Sequence, residues 1–113
     1  MKIADVEVIP VAGSIYNWTL VKITTDDGLV GWGDSTNWPG SFMIAHAVEQ
    51  MKPDLIGEDP REIDRIWQTL YRNFTYVGGA GVVVTALSGI DIALWDLKGK
   101  WLGKPVYELL GGK

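Results

Sequence analysis

Apolar and polar residues alternate from Ile3 to Val11, with Ile3, Val6, Val8 and, beyond Pro10, Val11 on the apolar side. That pattern predicts a strand with one face buried. The run Thr19 to Thr25 (TLVKITT) is β-branched, which suits a pleated, half-buried surface, and it ends at Asp26-Asp27-Gly28. Asp-Gly between two apolar runs marks a hairpin, because glycine accepts the positive φ that the turn requires. Leu29 to Asp34 (LVGWGD) then returns as a third strand, completing an antiparallel meander. Two loops frame it. Gly13 to Trp18 (GSIYNW) joins the first two strands, and Ser35 to Ser41 (STNWPGS) follows the third.

The period changes at Phe42. Ile44, Ala47 or Val48, Met51 and Leu55 recur at steps of three and four, the spacing of one helix face, and Pro53 is expected to bend or end that helix early. A second helix is predicted from Asp59 as N-cap, Pro60 at the first helical position and Glu62 three residues after the cap. Its apolar stripe is Ile63, Ile66, Trp67, Leu70 and Phe74. Gly78-Gly79-Ala80-Gly81 links to a third helix from about Val82 to Lys100, with Ala86, Gly89, Ile90, Ala93, Leu94 and Leu97 on one side. Small residues at 86, 89 and 93 permit close approach of another element. Asp96 and Lys100 form an i,i+4 pair in the favourable order. The tail KPVYELLGGK adds a short apolar segment. Strands first and helices after predict an α+β fold: a three-stranded antiparallel meander followed by three to four helices in a single domain, 1–113.

Composition narrows what such a domain does. The chain has 113 residues, 47% of them hydrophobic and 21% charged, with a formal net charge of −4. A chain of this size removes roughly two thirds of its unfolded surface from water, enough for a core. No basic stripe exists, which argues against a nucleic-acid partner. Cysteine is absent, so neither a disulfide framework nor a thiolate metal site exists. No apolar run approaches the ~18 residues that span a bilayer, and MKIADVEVIPV is too acidic and too alternating for a signal peptide. The cytoplasm is the expected compartment. Six tryptophans are first read as core packing, with a covered interdomain surface as the second reading.

The residues that carry chemistry are few. His46 is the only histidine; with Glu49 it shares a helix face, but two groups do not make a metal site. Asp91 and Asp96 stand five apart, so on a helix they point about 140° from each other and cannot clasp one ion. Gly78 to Gly81 lacks the Gly-Lys-Ser/Thr ending of a phosphate loop and reads as chain reversal. Ser35, Thr36 and Ser41 have no histidine base nearby in sequence; a Ser/His/Asp arrangement through His46 stays open at this point, and nothing supports it. The residues alone describe an α+β domain whose two aromatic loops are placed to touch a ligand.

A more specific signal lies in Ala86, Ser88-Gly89-Ile90-Asp91, Ala93-Leu94, Asp96-Leu97, Gly99-Lys100, Pro105-Val106 and Leu109-Leu110-Gly111. This run resembles the N-terminal signature of the mandelate racemase/muconate lactonizing enzyme family of the enolase superfamily. DDGLVGWGD resembles that family's second turn and third strand, and LIGEDPREIDRIWQTLYR its following helix. NWTLVKITTDDG, GEDP, WQTLYR and YVGG together resemble the sugar-acid dehydratases, of the galactonate and the mannonate type. Asp34 stands where that group often has glutamate. The resemblance implies a domain that caps a modified (β/α) barrel, absent from this chain. The barrel holds Mg²⁺ and the bases that remove the proton beside a carboxylate. It also implies that Tyr16, Asn17, Asn37 and Trp38, on the two loops, touch a small sugar-acid substrate. No catalytic residue and no metal ligand are implied within residues 1–113. The implied partner is the barrel domain, and an uncovered barrel-facing surface implies self-association of the isolated chain. The same cap is compatible with a racemase or cycloisomerase, and a stand-alone binding module without catalysis is the reading from a different class.

Overall fold

The computed structural model describes residues 1–113. Three strands, β1 (Ile3–Val11), β2 (Trp18–Thr25) and β3 (Val30–Asp34), precede four helices, α1 (Ser41–Leu55), α2 (Ile63–Asn73), α3 (Val82–Leu102) and α4 (Val106–Leu109). The sheet is antiparallel throughout, in the order β1-β2-β3. The fold is therefore α+β, a meander followed by helices. In its register Val6 faces Ile23, which faces Gly31, and Val8 faces Val21, which faces Gly33. A bulge between Ile3 and Asp5 explains why the first strand's apolar residues open with a step of three. The extra residue returns Ile3 and Val6 to the same inner face, where both are buried.

Two expected helix features are corrected. Pro53 does not stop α1, which continues to Leu55. Proline there removes a single backbone hydrogen bond in the last turn, and Leu55, wholly out of solvent, anchors that turn in the core. Asp59 does not cap α2, which starts at Ile63 after Glu62. Asp59 instead closes a turn: its carbonyl accepts the Glu62 N–H at 3.1 Å, with Pro60 inside the turn. The Asp59 carboxylate accepts the backbone N–H of Arg61 at 3.0 Å and its Nε at 2.8 Å. That guanidinium, more than any other group, holds the Asp59 carboxyl down at about 2.

The helices bury their apolar stripes against the sheet's inner face. Ile44, Val48, Met51 and Leu55 of α1, Ile63, Ile66 and Leu70 of α2, and Ala86, Leu87, Ile90, Ala93, Leu94 and Leu97 of α3 join Ile3, Val6, Val21 and Ile23 in one core. None of the six tryptophans belongs to it. Trp67 and Trp95 are partly buried and pack against it, while Trp18, Trp32, Trp38 and Trp101 are exposed, so core packing accounts for two of the six.

The closest contact in the molecule is between β3 and α3. A Cβ on Gly33 would lie 1.9 Å from the carbonyl oxygen of Gly89, and one on Gly31 would lie 2.3 Å from that of Ala93. A Cβ on Gly89 would meet Ser35 Oγ at 1.8 Å. Backbone thus rests on backbone, with no side chain between. α3 also closes the open edge of β3. Asp96 Oδ2 accepts the Trp32 N–H at 2.8 Å, and Lys100 Nζ donates to the Val30 carbonyl at 2.8 Å and to Asp96 at 2.6 Å. Two of the outward ladder groups of this edge strand, the Trp32 N–H and the Val30 carbonyl, are thereby satisfied, which weakens it as a template for a further strand.

The Gly33→Ala variant is expected to lose more than about 2 kcal/mol of stability, since neither backbone can yield without separating helix from sheet. Urea denaturation followed by circular dichroism measures it, with Ser88→Ala on the exposed side of α3 as the control, expected within about 0.5 kcal/mol of the parent. A Gly33→Ala chain as stable as the parent would show that α3 stands off from β3.

Candidate functional site

The meander brings the two predicted loops to one end of the sheet. They are joined at their bases: the Ser35 N–H donates to the Thr19 carbonyl at 2.8 Å, and the Thr19 N–H donates to Thr36 Oγ1 at 3.0 Å. Asp34 anchors the second loop by accepting the Thr36 N–H at 2.7 Å and the Thr36 hydroxyl. The Gly40 N–H returns to the Asn37 carbonyl at 2.7 Å, so residues 37–40 form a turn that leads directly into α1; its Trp38–Pro39 peptide is cis. The start of α3 comes to the same end, where Ser35 Oγ donates to the Ala86 carbonyl at 3.4 Å.

The first loop is shaped by Gly13. A Cβ there would lie 2.1 Å from the Tyr16 carbonyl and 3.1 Å from Trp18 Nε1, so the loop folds back over a position that only glycine fills. Tyr16 and Trp18 then sit with ring centroids 5.4 Å apart and planes tilted by 60°, an edge-to-face style of contact. Ser14, Ile15, Tyr16 and Trp18 line a small concavity of about 90 Å³. Of the four residues expected at the substrate, Trp38 is 68% exposed and Tyr16 38% exposed. Asn17 is exposed as well, and Asn37 reaches α3 through a long hydrogen bond of 3.5 Å from its Nδ2 to Thr85 Oγ1. All four lie at the same end of the sheet. Trp18, read from sequence as the last residue of the first loop, is the first residue of β2 and belongs with them. Its signal was its place directly before a β-branched run, where an aromatic ring caps a sheet end.

No group of three or more histidine, aspartate or glutamate side chains is gathered closely enough to hold a metal ion. The acids that sequence singled out are employed or isolated. Asp96 is committed to Trp32 and Lys100. His46 pairs with Glu49 at 3.4 Å on an exposed stretch of α1. The Mg²⁺ that the family resemblance implies therefore has no ligand set among these residues.

Asp91 differs from the other acids. It lines a mainly apolar groove of about 530 Å³ with Trp32, Ile92, Trp95, Asp96, Val106 and Leu110. The surrounding cations are engaged elsewhere: Arg61 with Asp59, Arg65 with Glu58 and Glu62, and Lys100 with Asp96, while Lys98 lies over the Trp95 ring at 5.2 Å. Burial, and after it the nearby charge of Asp64 on α2, push the Asp91 carboxyl above the usual carboxylate range.

Residues 11–111 match the family model for "Mandelate racemase / muconate lactonizing enzyme, N-terminal domain". The chain is 50% identical over 95 residues to a D-galactonate dehydratase of Ralstonia nicotianae, a match covering 84% of this chain and 25% of that protein. A D-galactonate dehydratase of Variovorax paradoxus is 49% identical over 96 residues, covering 85% and 25%. Among solved structures, an enolase from Pantoea ananatis with bound D-gluconate and Mg superposes with a TM-score of 0.93 at 44% identity, covering 99% of this chain and 27% of that one. The 3,6-anhydro-D-galactonate cycloisomerase from Zobellia galactanivorans superposes with a TM-score of 0.92 at 36% identity, covering 99% and 32%. The chain spans about a quarter of the length of the curated relatives it matches. No helix is long and apolar enough to cross a membrane.

The Asp91→Asn variant is expected to be more stable than the parent chain at pH 7. The folded state raises this carboxyl's pKa, so it favours the protonated form, and ionisation above the unfolded pKa destabilises the fold. The difference in Tm between the two chains is expected to shrink as pH falls through the folded pKa, and to vanish below the unfolded value near 3.8. Thermal melts from pH 7 to pH 3 test this, and equal Tm values at pH 7 would refute it.

Proposed function

The chain belongs to the mandelate racemase / muconate lactonizing enzyme family through its N-terminal domain, and we propose that it serves as the substrate-facing cap of a Mg²⁺-dependent sugar-acid dehydratase. The observation that carries this reading is the pair of loops tied together at one end of the sheet, presenting exposed aromatic rings and carboxamides. Rings such as Tyr16 and Trp38 suit the C–H face of a sugar chain, and the carboxamides of Asn17 and Asn37 both donate to and accept from hydroxyls. The relatives named D-galactonate dehydratase, and the Pantoea enolase with bound D-gluconate and Mg, support an aldonate-like substrate.

In this reading the cap binds and orients the substrate and keeps water away from it. The magnesium ligands and the base that takes the proton beside the carboxylate reside on the barrel domain, and the metal supplies charge stabilisation for the resulting enolate. The complete enzyme acts in the cytoplasm. A cycloisomerase or racemase parent is the second reading, favoured by the TM-score of 0.92 to the Zobellia cycloisomerase. Reaction type is set by the barrel's bases, and a cap of this shape serves either.

The isolated 113-residue chain is expected to show no turnover of D-galactonate, D-gluconate or D-mannonate with Mg²⁺. It is also expected to self-associate through its uncovered apolar surface, seen as a concentration-dependent mass in sedimentation. Turnover by this chain alone would overturn the cap reading.

A chimera in which this chain replaces the matching region of the Ralstonia nicotianae dehydratase is expected to dehydrate D-galactonate. Trp38→Ala and Tyr16→Ala in that chimera are each expected to raise KM about tenfold, the loss of roughly 1.4 kcal/mol of contact. Steady-state kinetics decide it, and unchanged KM and kcat in both variants would remove the loops from the substrate site.

A further inference from the structure

The last rung of the β2–β3 ladder is completed by a side chain. Val21 pairs with Gly33 and Leu20 with Asp34, which places Thr19 opposite Ser35. An antiparallel pair of this kind exchanges two backbone bonds. The Ser35 N–H supplies one, to the Thr19 carbonyl at 2.8 Å. The Thr19 N–H does not return to the Ser35 carbonyl; it donates to the Thr36 hydroxyl at 3.0 Å. The backbone beyond Ser35 can therefore leave the sheet while its side chain still holds β2.

The same hydroxyl is held from its other side. Asp34 Oδ1 accepts the Thr36 N–H at 2.7 Å and also the Thr36 O–H. This side-chain turn bends the chain over residues 34–36. It uses the only proton of the hydroxyl, so a lone pair faces the Thr19 N–H. Before Thr19 comes Trp18, whose ring meets that of Tyr16 at 5.4 Å and whose indole lies against Gly13. After Thr36 come Asn37 and Trp38, in the turn that the Gly40 N–H closes on the Asn37 carbonyl. Contacts thus run from Tyr16 to Trp38 through one hydroxyl.

We propose that Thr36, held by Asp34, is a positioning residue that makes the two loops one unit and sets the spacing between Tyr16 and Trp38. The proposal rests on the cap reading for the substrate those rings face; the link itself belongs to this chain alone. Thr36 acts through the Thr19 N–H on the first loop and through its own backbone on the second. Thr19 is wholly buried, so solvent does not readily replace an acceptor lost from its N–H. Loops ordered together before a ligand arrives lose no further freedom on binding it, which is how such a link raises affinity.

The test reads the two loops separately, by ¹⁵N relaxation of the 113-residue chain under conditions where it sediments as a monomer. In the parent, the amides of Tyr16, Trp18 and Trp38 are expected to show order parameters near the ~0.85 of rigid backbone. Thr36→Val keeps the branched shape and removes the acceptor. It is expected to bring all three below about 0.6. It is also expected to speed exchange of the Thr19 amide with solvent at least about tenfold. Thr36→Ser keeps the hydroxyl, and Asp34→Asn keeps an oxygen where Oδ1 accepts both bonds; each is expected to match the parent. Asp34→Ala, at an exposed position, is expected to loosen both loops, and it carries the test if the valine variant does not fold. In the chimera described above, Thr36→Val is expected to raise the KM for D-galactonate about tenfold with kcat within about twofold, and Thr36→Ser to restore it.

Order parameters already below about 0.6 in the parent loops overturn the proposal. So does a first loop that stays ordered in Thr36→Val and Asp34→Ala, or a serine or asparagine variant that loosens both loops. An unchanged KM in Thr36→Val, where Tyr16→Ala and Trp38→Ala raise it, overturns the positioning role, because the rings then bind without the link. The cap reading fails by a different result. If the two alanine variants leave KM and kcat unchanged, or the chimera has no turnover, while Thr36→Val still loosens both loops, the substrate assignment falls and the link stands.

Discussion

Everything in this domain depends on the absence of side chains between β3 and α3. Gly31 and Gly33 on the strand, with Gly89 and Ala93 on the helix, let the two backbones meet. That closeness brings the α3 side chains Asp96 and Lys100 within reach of β3's outward N–H and C=O groups. It also sets Trp32 beside Ile92 and Trp95, which makes the groove, and it carries the start of α3 to the end of the sheet where the loops lie. A helix held off by ordinary core side chains, at the ~10 Å spacing of packed layers, would reach none of these partners.

Much of this was legible in the sequence, for identifiable reasons. The meander was readable because its strand period and the Asp-Gly turn are local signals. The helices were readable from their apolar spacing, and the small residues of α3 from their size. Two local signals misled. Asp59-Pro60 is as good a turn opening as a helix opening, and Arg61 tips it toward the turn by engaging the Asp59 carboxylate. Pro53 lies so near the end of α1 that Leu55, buried in the core, overrides it. Core packing held for Trp67 and Trp95 and failed for the four exposed tryptophans, because aromatic rings are equally at home in a core and on a surface, and only tertiary structure tells which.

The candidate site divides in the same way. That two loops converge follows from the meander, since both the first connection and the exit from the third strand leave at one end of the sheet. That Gly13 folds the first loop back against Trp18, and that Thr36 ties the loops together, involves residues whose partners no spacing rule reveals. Asp91 was rejected from sequence as half of an ion-binding pair with Asp96; the structure places both in the lining of one groove, with Asp96 taken up by Trp32 and Lys100. The two ends of α3 accordingly lie in different places: its start meets the end of the sheet where the two loops are, and its middle and end line the groove.

The hydrogen bonds that close the β3 edge join residues 64 and 70 positions apart, Trp32 to Asp96 and Val30 to Lys100. Such distant closures come late and slow the folding of a chain. During synthesis the three strands emerge first, with their inner face wet and the edge of β3 open to any passing strand. Only when the last fifth of the domain has left the ribosome does α3 settle onto the glycines and shut that edge. The hazard of this fold is therefore one of timing, concentrated in the interval when the sheet exists and its helix does not.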